Sequence, residues 1–339
     1  MKAAQYHGPQ QITLEDLPVP VCGDSEVLVA MKACGICGTD VKTYVRGHPL
    51  IPPGSVLGHE VAGSVIESRH AAFAVGDRVA VAPYVPCLSC TMCQRGHYSL
   101  CENLFEASMQ PGGFAEVVLV PQRIVEQALL KIPDTLDYIT AALTEPLACS
   151  LHGLEALPLR AGQSLLIMGD GPMGLMQAAL GKALGAAPVI LSGMTPLRLD
   201  FARKVADVVI DVSTQSLADT LKALLPAGPE AVMASVGSVA LVEEALRLVG
   251  KGGAVNVFAG MPKDAALSLP LNRIHYDEVR IVGTFGFGPQ HFRRALDILA
   301  QNAALFQGLF THTVRLDAIE PALQAASRFE GIKGVVVTD

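Results

Sequence analysis

The chain has 339 residues, half of them hydrophobic, and 32 acidic against 25 basic side chains give it a net charge of −7. That length exceeds the ~250–300 residues at which one hydrophobic core stops growing, so two domains are expected, and the acidic balance offers no footprint for nucleic acid. The opening MKAAQYHGPQ lacks the apolar stretch of a signal peptide, and no uncharged apolar run reaches the ~18 residues of a membrane span. A cytoplasmic protein with no membrane segment is expected.

In chain order, the first part, to about residue 148, reads as short β segments punctuated by Gly and Pro. Residues 25–33 (SEVLVAMKA), 59–68 (HEVAGSVIES) and 77–85 (DRVAVAPYV) are examples, with turn signals such as PPG and VGD between them. Within this part, Cys34-Gly-Ile-Cys37 looks like a redox pair, but its surroundings are β-rich and His59-Glu60 follows about twenty residues later. Cys, His and a carboxylate with an open position suit a catalytic zinc. Next comes CLSCTMCQRGHYSLC, with Cys87, Cys90, Cys93 and Cys101 inside fifteen residues. Each short CxxC turn presents two thiolates to one ion, and in a reducing compartment zinc is favoured over disulfides. At residues 143–155 (LTEPLACSLHGLE), Glu145 opens an apolar helical stretch. Two readings of it are even: a helix-start carboxylate favoured by the macrodipole, or a carboxylate of a metal shell at a domain boundary.

From LRAGQSLLIMGDGPMG onward, apolar strands alternate with helical stretches: SLLIMG, GLMQAALGKALG, APVILSG, LRLDFARKVA, VVIDV, then EAVMASVG, LVEEALRLVG, AVNVFAG and VRIVGTF. Such alternation builds a parallel sheet with helices on both faces. Gly169, Gly171 and Gly174, with Pro172 and Met173 between them, form GxGxxG directly after a strand and at the opening of a helix. The first glycine permits the turn, the second lets a pyrophosphate approach, and the third lets the helix pack on the strand. After about residue 287 the pattern loosens into HFRRALDILAQ and IEPALQAASRF and ends on GVVVTD.

Taken together, CGICGTD (34–40), GHE (58–60), GDRV (76–79), the four-cysteine lobe, GGFAE (112–116), TEPLA (144–148) and GDGPMG (169–174) resemble the zinc-dependent medium-chain alcohol dehydrogenases, in order and spacing, over essentially the whole chain. The resemblance implies an α/β architecture. A GroES-like β-rich catalytic domain (1–148 and 287–339) is split around a Rossmann domain (149–286) with a doubly wound parallel sheet. It also implies two zinc ions per chain. The structural one is held by Cys87, Cys90, Cys93 and Cys101. The catalytic one is held by Cys37 and His59, with Glu60 or Glu145 as the carboxylate, and sequence leaves that pair open.

Thr39 matches the hydroxyl residue that contacts the substrate oxygen. Lys42 stands where many relatives carry a relay histidine. Lys42 and Tyr44 read either as substrate contacts or as ordinary loop residues. The implied activity is hydride transfer between a nicotinamide cofactor and a secondary alcohol or ketone. EPLA in place of a third cysteine resembles the polyol and sugar-alcohol branch, so a polyol, cyclitol or sugar phosphate is expected. The alternatives are an amino alcohol, as in threonine dehydrogenases, and a non-enzymatic binding protein on the same fold. A homo-oligomer, dimer or tetramer, is implied by the family alone.

Cofactor choice turns on the end of the second Rossmann strand, where an acidic residue would bond the ribose hydroxyls of NAD. Here that position is Gly193, which leaves nothing there to repel a 2′-phosphate. Arg198 either reaches such a phosphate, with Ser192 or Thr195 adding a hydroxyl, or stacks on adenine or faces solvent. The expectation is NADP or dual use.

Overall fold

A computed structural model describes all 339 residues and divides them into two compact units. The first comprises residues 1–148, 287–303 and 310–339, and the second residues 149–286 and 304–309. The short segment 304–309 therefore groups with the second unit, whereas sequence assigns everything after residue 286 to the first.

The first unit is built on a seven-stranded sheet. Its main path runs Phe310–Arg315, Lys333–Val337, Val27–Gly35, Glu60–Ser68, Arg78–Val81, Leu129–Lys131, and Val117–Val120 also pairs with Val27–Gly35. Val27, Val29, Met31 and Ala33 alternate along the central strand, and all are fully buried. This is the period-2 pattern of a half-buried strand. Three register facts position the site. Gly35 pairs with Glu60 on one side, Val335 pairs with Gly35 on the other, and both strands Val27–Gly35 and Lys333–Val337 start or stop there. Residues separated by hundreds of positions in the chain thus meet at one end of one sheet.

The chain leaves Gly35 and turns at once into the helix Gly38–Arg46. Cys37 is its N-cap: the sulfur accepts from the Thr39 N–H, and the Asp40 carboxylate accepts from the Cys37 N–H, which makes a reciprocal capping box. Arg46 in the last turn suits the negative end of the helix, and Gly47, at φ +80°, stops it in a backbone conformation that favours glycine.

The second unit holds six parallel strands. In space they run Val208–Asp211, Val189–Gly193, Leu165–Met168, Ala231–Ala234, Ala254–Val257, Arg280–Gly283, the order 3-2-1-4-5-6 of a dinucleotide-binding sheet. Strands covered on both faces read as unbroken apolar runs, and LLIM, AVMA and the start of VILSG are fully buried. Leu166, Met168, Ile190, Val232 and Val255 belong to one core cluster with Val242, Ala245 and Leu246 of the helix Val239–Leu248. The helix Pro172–Ala183 starts on proline, whose fixed φ suits the first helical position. No helix of the chain is long and apolar enough to cross a membrane.

Candidate active site

Cys37, His59 and Glu60 each bring a ligand atom to within 4.8 Å of the other two. Local structure explains how. Cys37 is fixed by the cap just described, and Glu60 by the first residue pair of its strand. His59 lies between, its Nδ1 3.5 Å from Asp40 Oδ1. Asp40 is buried and uses both oxygens: Oδ2 accepts from the Cys37 N–H at 2.9 Å, and Oδ1 accepts from the Gly58 N–H at 3.0 Å. One carboxylate therefore orients two of the three candidate ligands, the outer-shell role that fixes a metal-binding imidazole. Burial opposes charge on His59, but the charges of Asp40 and Cys37 outweigh it and hold the imidazole well above its usual range. For Asp40, burial works against ionisation while His59 and the two N–H donors prevail, so its carboxyl lies below the usual range.

Glu60 is completely buried, and its partner is Lys333 from the last strand, also buried. Lys333 Nζ lies 2.8 Å from both carboxylate oxygens, donating to Oε1, and gives a further hydrogen bond to the Ile36 carbonyl at 2.9 Å. Burial alone would push the ammonium down. The charges of Glu60 and Cys37, and less strongly Glu145, raise it instead, so Lys333 stays cationic. Gly35 makes the arrangement feasible, because a Cβ there would overlap Glu60 Oε2. That oxygen is buried, with the Lys333 ammonium 2.8 Å away as its ion-pair partner. A carboxylate oxygen grouped with a thiol sulfur and an imidazole nitrogen is a donor set that suits a divalent zinc. The residues fit the ion.

Removing one partner of a buried ion pair strands the other. Lys333→Met should therefore destabilise the protein by roughly 3–5 kcal/mol, and adding Glu60→Gln should restore much of it. Denaturant unfolding of the two single variants and the double variant measures the coupling. A coupling near zero would show that the two groups do not act as a unit.

The other expected residues sort as follows. Thr39 and Lys42 are exposed and, three apart on the helix Gly38–Arg46, share a face. Tyr44 is 3% exposed, and its hydroxyl bonds Glu320 Oε1 at 2.9 Å and Gln324 Nε2 at 3.1 Å. It joins this helix to Ile319–Ser327, the packing role that the sequence also allowed. Glu145 is buried in the first turn of the helix Thr144–Glu155, and its charge is felt at Lys333. It is outside the three-residue cluster of ligand atoms. Asp40 and Lys333 were not singled out from sequence. Asp40 had a signal, its place three residues after the capping Cys37; Lys333, 273 residues from Glu60, had none.

The four-cysteine lobe forms a second cluster. Its thiols are unpaired, with Cys87 and Cys93 sulfurs 4.0 Å apart and Cys90 and Cys101 sulfurs 3.8 Å apart. A tetrahedral zinc with ~2.3 Å bonds to sulfur has edges of ~3.8 Å, so the spacing suits the ion. Backbone N–H groups of Cys87, Cys90 and Asn103 point at these sulfurs from 3.2–3.3 Å. Hydrogen bonds from Ser89 and the Cys90 N–H bring the Cys87 thiol down to about 5, while burial and the neighbouring thiols push Cys93 up to about 12. Four sulfurs this close do not all carry charge without a cation among them.

In the second unit, Gly171 has open space where a Cβ would project, the room a pyrophosphate needs, and a Cβ on Gly174 would overlap the Gly169 carbonyl. Gly169 itself has φ +123°. Pro172 and Met173 begin the helix. These features fit a dinucleotide. Gly193 ends the second strand, and Arg198 is buried in the helix Pro196–Val205.

The geometry therefore defines a metal-dependent oxidoreductase of two units, one with a Cys-His-carboxylate centre and one with a dinucleotide loop. Comparison with known proteins agrees. Residues 23–134 match the alcohol dehydrogenase GroES-like domain, and residues 172–301 match the zinc-binding dehydrogenase domain. Sorbitol dehydrogenase of Bacillus subtilis is 33% identical over 97% of this chain and 94% of its own length. D-arabinitol dehydrogenase 1 of Uromyces fabae is 32% identical over 97% and 95%. Among solved structures, a protein described as a zinc-binding dehydrogenase from Sinorhizobium meliloti 1021, bound to NADP, superposes with a TM-score of 0.90 at 31% identity, covering 99% of each chain. The chain belongs to the zinc-binding alcohol dehydrogenase family and is a zinc-dependent, NAD(P)-linked oxidoreductase.

Proposed function

We propose that this enzyme interconverts a secondary alcohol of a polyol, cyclitol or sugar phosphate with the corresponding ketone. The observation that carries the reading is the Cys37–His59–Glu60 cluster, with Thr39 and the cationic Lys42 exposed on one face of the helix that Cys37 caps. Sorbitol and D-arabinitol, named in the relatives, belong to the same substrate class. When bound, zinc supplies a cation that acidifies an alcohol, and the nicotinamide supplies the hydride acceptor. The residues of the chain do the rest. Cys37 and His59 hold the ion, and Asp40 orients both. Glu60, held by Lys333, offers one carboxylate, and Glu145 is the alternative. The Thr39 hydroxyl accepts the substrate's proton as it releases its own to solvent, to which it is exposed, and Lys42 attracts hydroxyl-rich or phosphorylated substrates. Cys87, Cys90, Cys93 and Cys101 hold a second, closed zinc that leaves no position for substrate. Cytoplasmic location and a homo-oligomer, dimer or tetramer, complete the proposal, on the strength of the family.

Metal analysis combined with a screen of polyols, sugar phosphates, threonine and primary alcohols, each with both nicotinamide cofactors, tests this reading. Turnover of a polyol or sugar phosphate well above that of ethanol is expected. Ethanol or threonine as the far better substrate would place the enzyme in another branch.

A further inference from the structure

The end of the second Rossmann strand carries no acidic side chain, yet a carboxylate stands beside it. It comes from Asp170, the middle residue of Gly169-Asp170-Gly171. Asp170 is 9% exposed, and its Oδ2 accepts from the Met194 N–H at 2.9 Å and the Thr195 N–H at 2.7 Å. A Cβ built on Gly193 would lie 2.6 Å from Asp170 Cγ and 2.7 Å from Oδ2. Gly193 is thus a glycine because Asp170 fills the space where its side chain would go. From sequence alone, a bare Gly193 argues for NADP or dual use; the structure returns the negative charge by a different route.

We propose that Asp170 is the residue that sets discrimination between the two dinucleotides, by disfavouring a 2′-phosphate. The inference rests on the reading of the glycine loop as the dinucleotide site. In that fold, a carboxylate at the end of the second strand faces the adenosine ribose, where it accepts from hydroxyls and repels a phosphate. Asp170 supplies that charge from the loop before the helix. It also occupies the two backbone N–H groups between strand and helix, the donors an anion there would otherwise use. Asp170 therefore opposes a 2′-phosphate twice, by charge and by taking its donors.

The variant that separates charge from structure is Asp170→Asn, because the amide oxygen still accepts from Met194 and Thr195. Dissociation constants of NADH and NADPH, and of the fragments 5′-AMP and 2′,5′-ADP, would be measured on zinc-loaded protein, with thermal denaturation as the check on folding. Relative to NADH, NADPH should tighten by about tenfold or more, the size expected when a close like charge is removed, and 2′,5′-ADP should follow it relative to 5′-AMP. A ratio unchanged within about twofold, or equal loss of both cofactors, would overturn the proposal and leave Asp170 as a loop brace. Failure of wild-type protein to bind either dinucleotide would overturn the glycine-loop reading and this inference with it. Binding of both with an unmoved ratio sinks this inference alone.

Discussion

Replacing Cys37 or His59 by alanine should lower kcat/KM for the preferred alcohol by about a thousandfold or more, because zinc contributes several kcal/mol of charge stabilisation in such reactions. The zinc content should fall by one ion per chain, with the other retained in the cysteine lobe. Stability should change little in Cys37→Ala and fall further in His59→Ala, which leaves the buried Asp40 carboxylate with its two N–H donors alone. Cys37→Ala removes the acceptor for the Thr39 N–H at the helix start, a cost of about 1 kcal/mol, and His59 is half-buried with no side-chain partner except Asp40 and the other ligands. Activity and zinc content are measured on the same preparation, with circular dichroism to show the fold. Full activity in Cys37→Ala, or loss of both zinc ions, would remove these residues from the catalytic centre. The expected result is a folded protein without chemistry.

What made these ligands legible is residue type at short range. Cys37 and His59-Glu60 lie within 24 positions of one another, and residue type together with the family resemblance marks them as ligands, with Glu145 the alternative carboxylate. Lys333 could not be found in that way. It reads as one more residue of a C-terminal strand, and only the antiparallel pairing of Val335 with Gly35, next to Gly35 with Glu60, places it against the carboxylate. Tyr44 is likewise tied by distant partners. Its place near Thr39 on a short helix suggested the substrate, but the partners of its hydroxyl, Glu320 and Gln324, come from a helix some 280 positions away.

The same division holds for the fold. Leu165–Met168, Val189–Gly193 and Ala231–Ala234 announce themselves because parallel strands buried on both faces have no polar positions. Phe310–Arg315, FTHTVR, is largely exposed and carries no apolar alternation, so nothing local marks it as a strand. It is parallel to Lys333–Val337 and forms the sheet edge on that pairing. Gly193 is the subtlest case. Its lack of a side chain was visible, but the reason, a carboxylate folded back from Asp170, is a contact across 23 positions that only coordinates reveal.

Replacing Cys93 by alanine should do the reverse of the Cys37 change: it should unsettle the protein and spare the chemistry. Cys93 is 5% exposed and is the most enclosed of the four thiols. Without its thiolate the remaining three cannot close a tetrahedron, and metal-linked folding energy is lost. For structural zinc sites that energy is on the order of 10 kcal/mol, so even a fraction of it exceeds a typical point mutation. The lobe has little else to hold it. Its own buried side chains are few, Leu104 with Cys93 and Cys101, and Tyr84 packs edge-on against Phe105 at 5.2 Å. Two polar ties reach it from the helix Gln122–Ala128: Arg123 donates to the Asn103 carbonyl at 2.9 Å and Gln127 to the Pro86 carbonyl at 3.1 Å. Beyond these ties and the lobe's own short-range backbone hydrogen bonds, three N–H groups, of Cys87, Cys90 and Asn103, are aimed at sulfur. Cys93→Ala should therefore lose one zinc, lower Tm by about 10 °C or more, and expose residues 87–104 to protease. The fraction that remains folded should keep its second zinc and most of its kcat. Calorimetry, metal analysis and limited proteolysis on one sample read all three effects. An unchanged Tm with one zinc missing would show that the lobe is stable without its ion, and a thousandfold loss of kcat at normal stability would move the chemistry into the lobe.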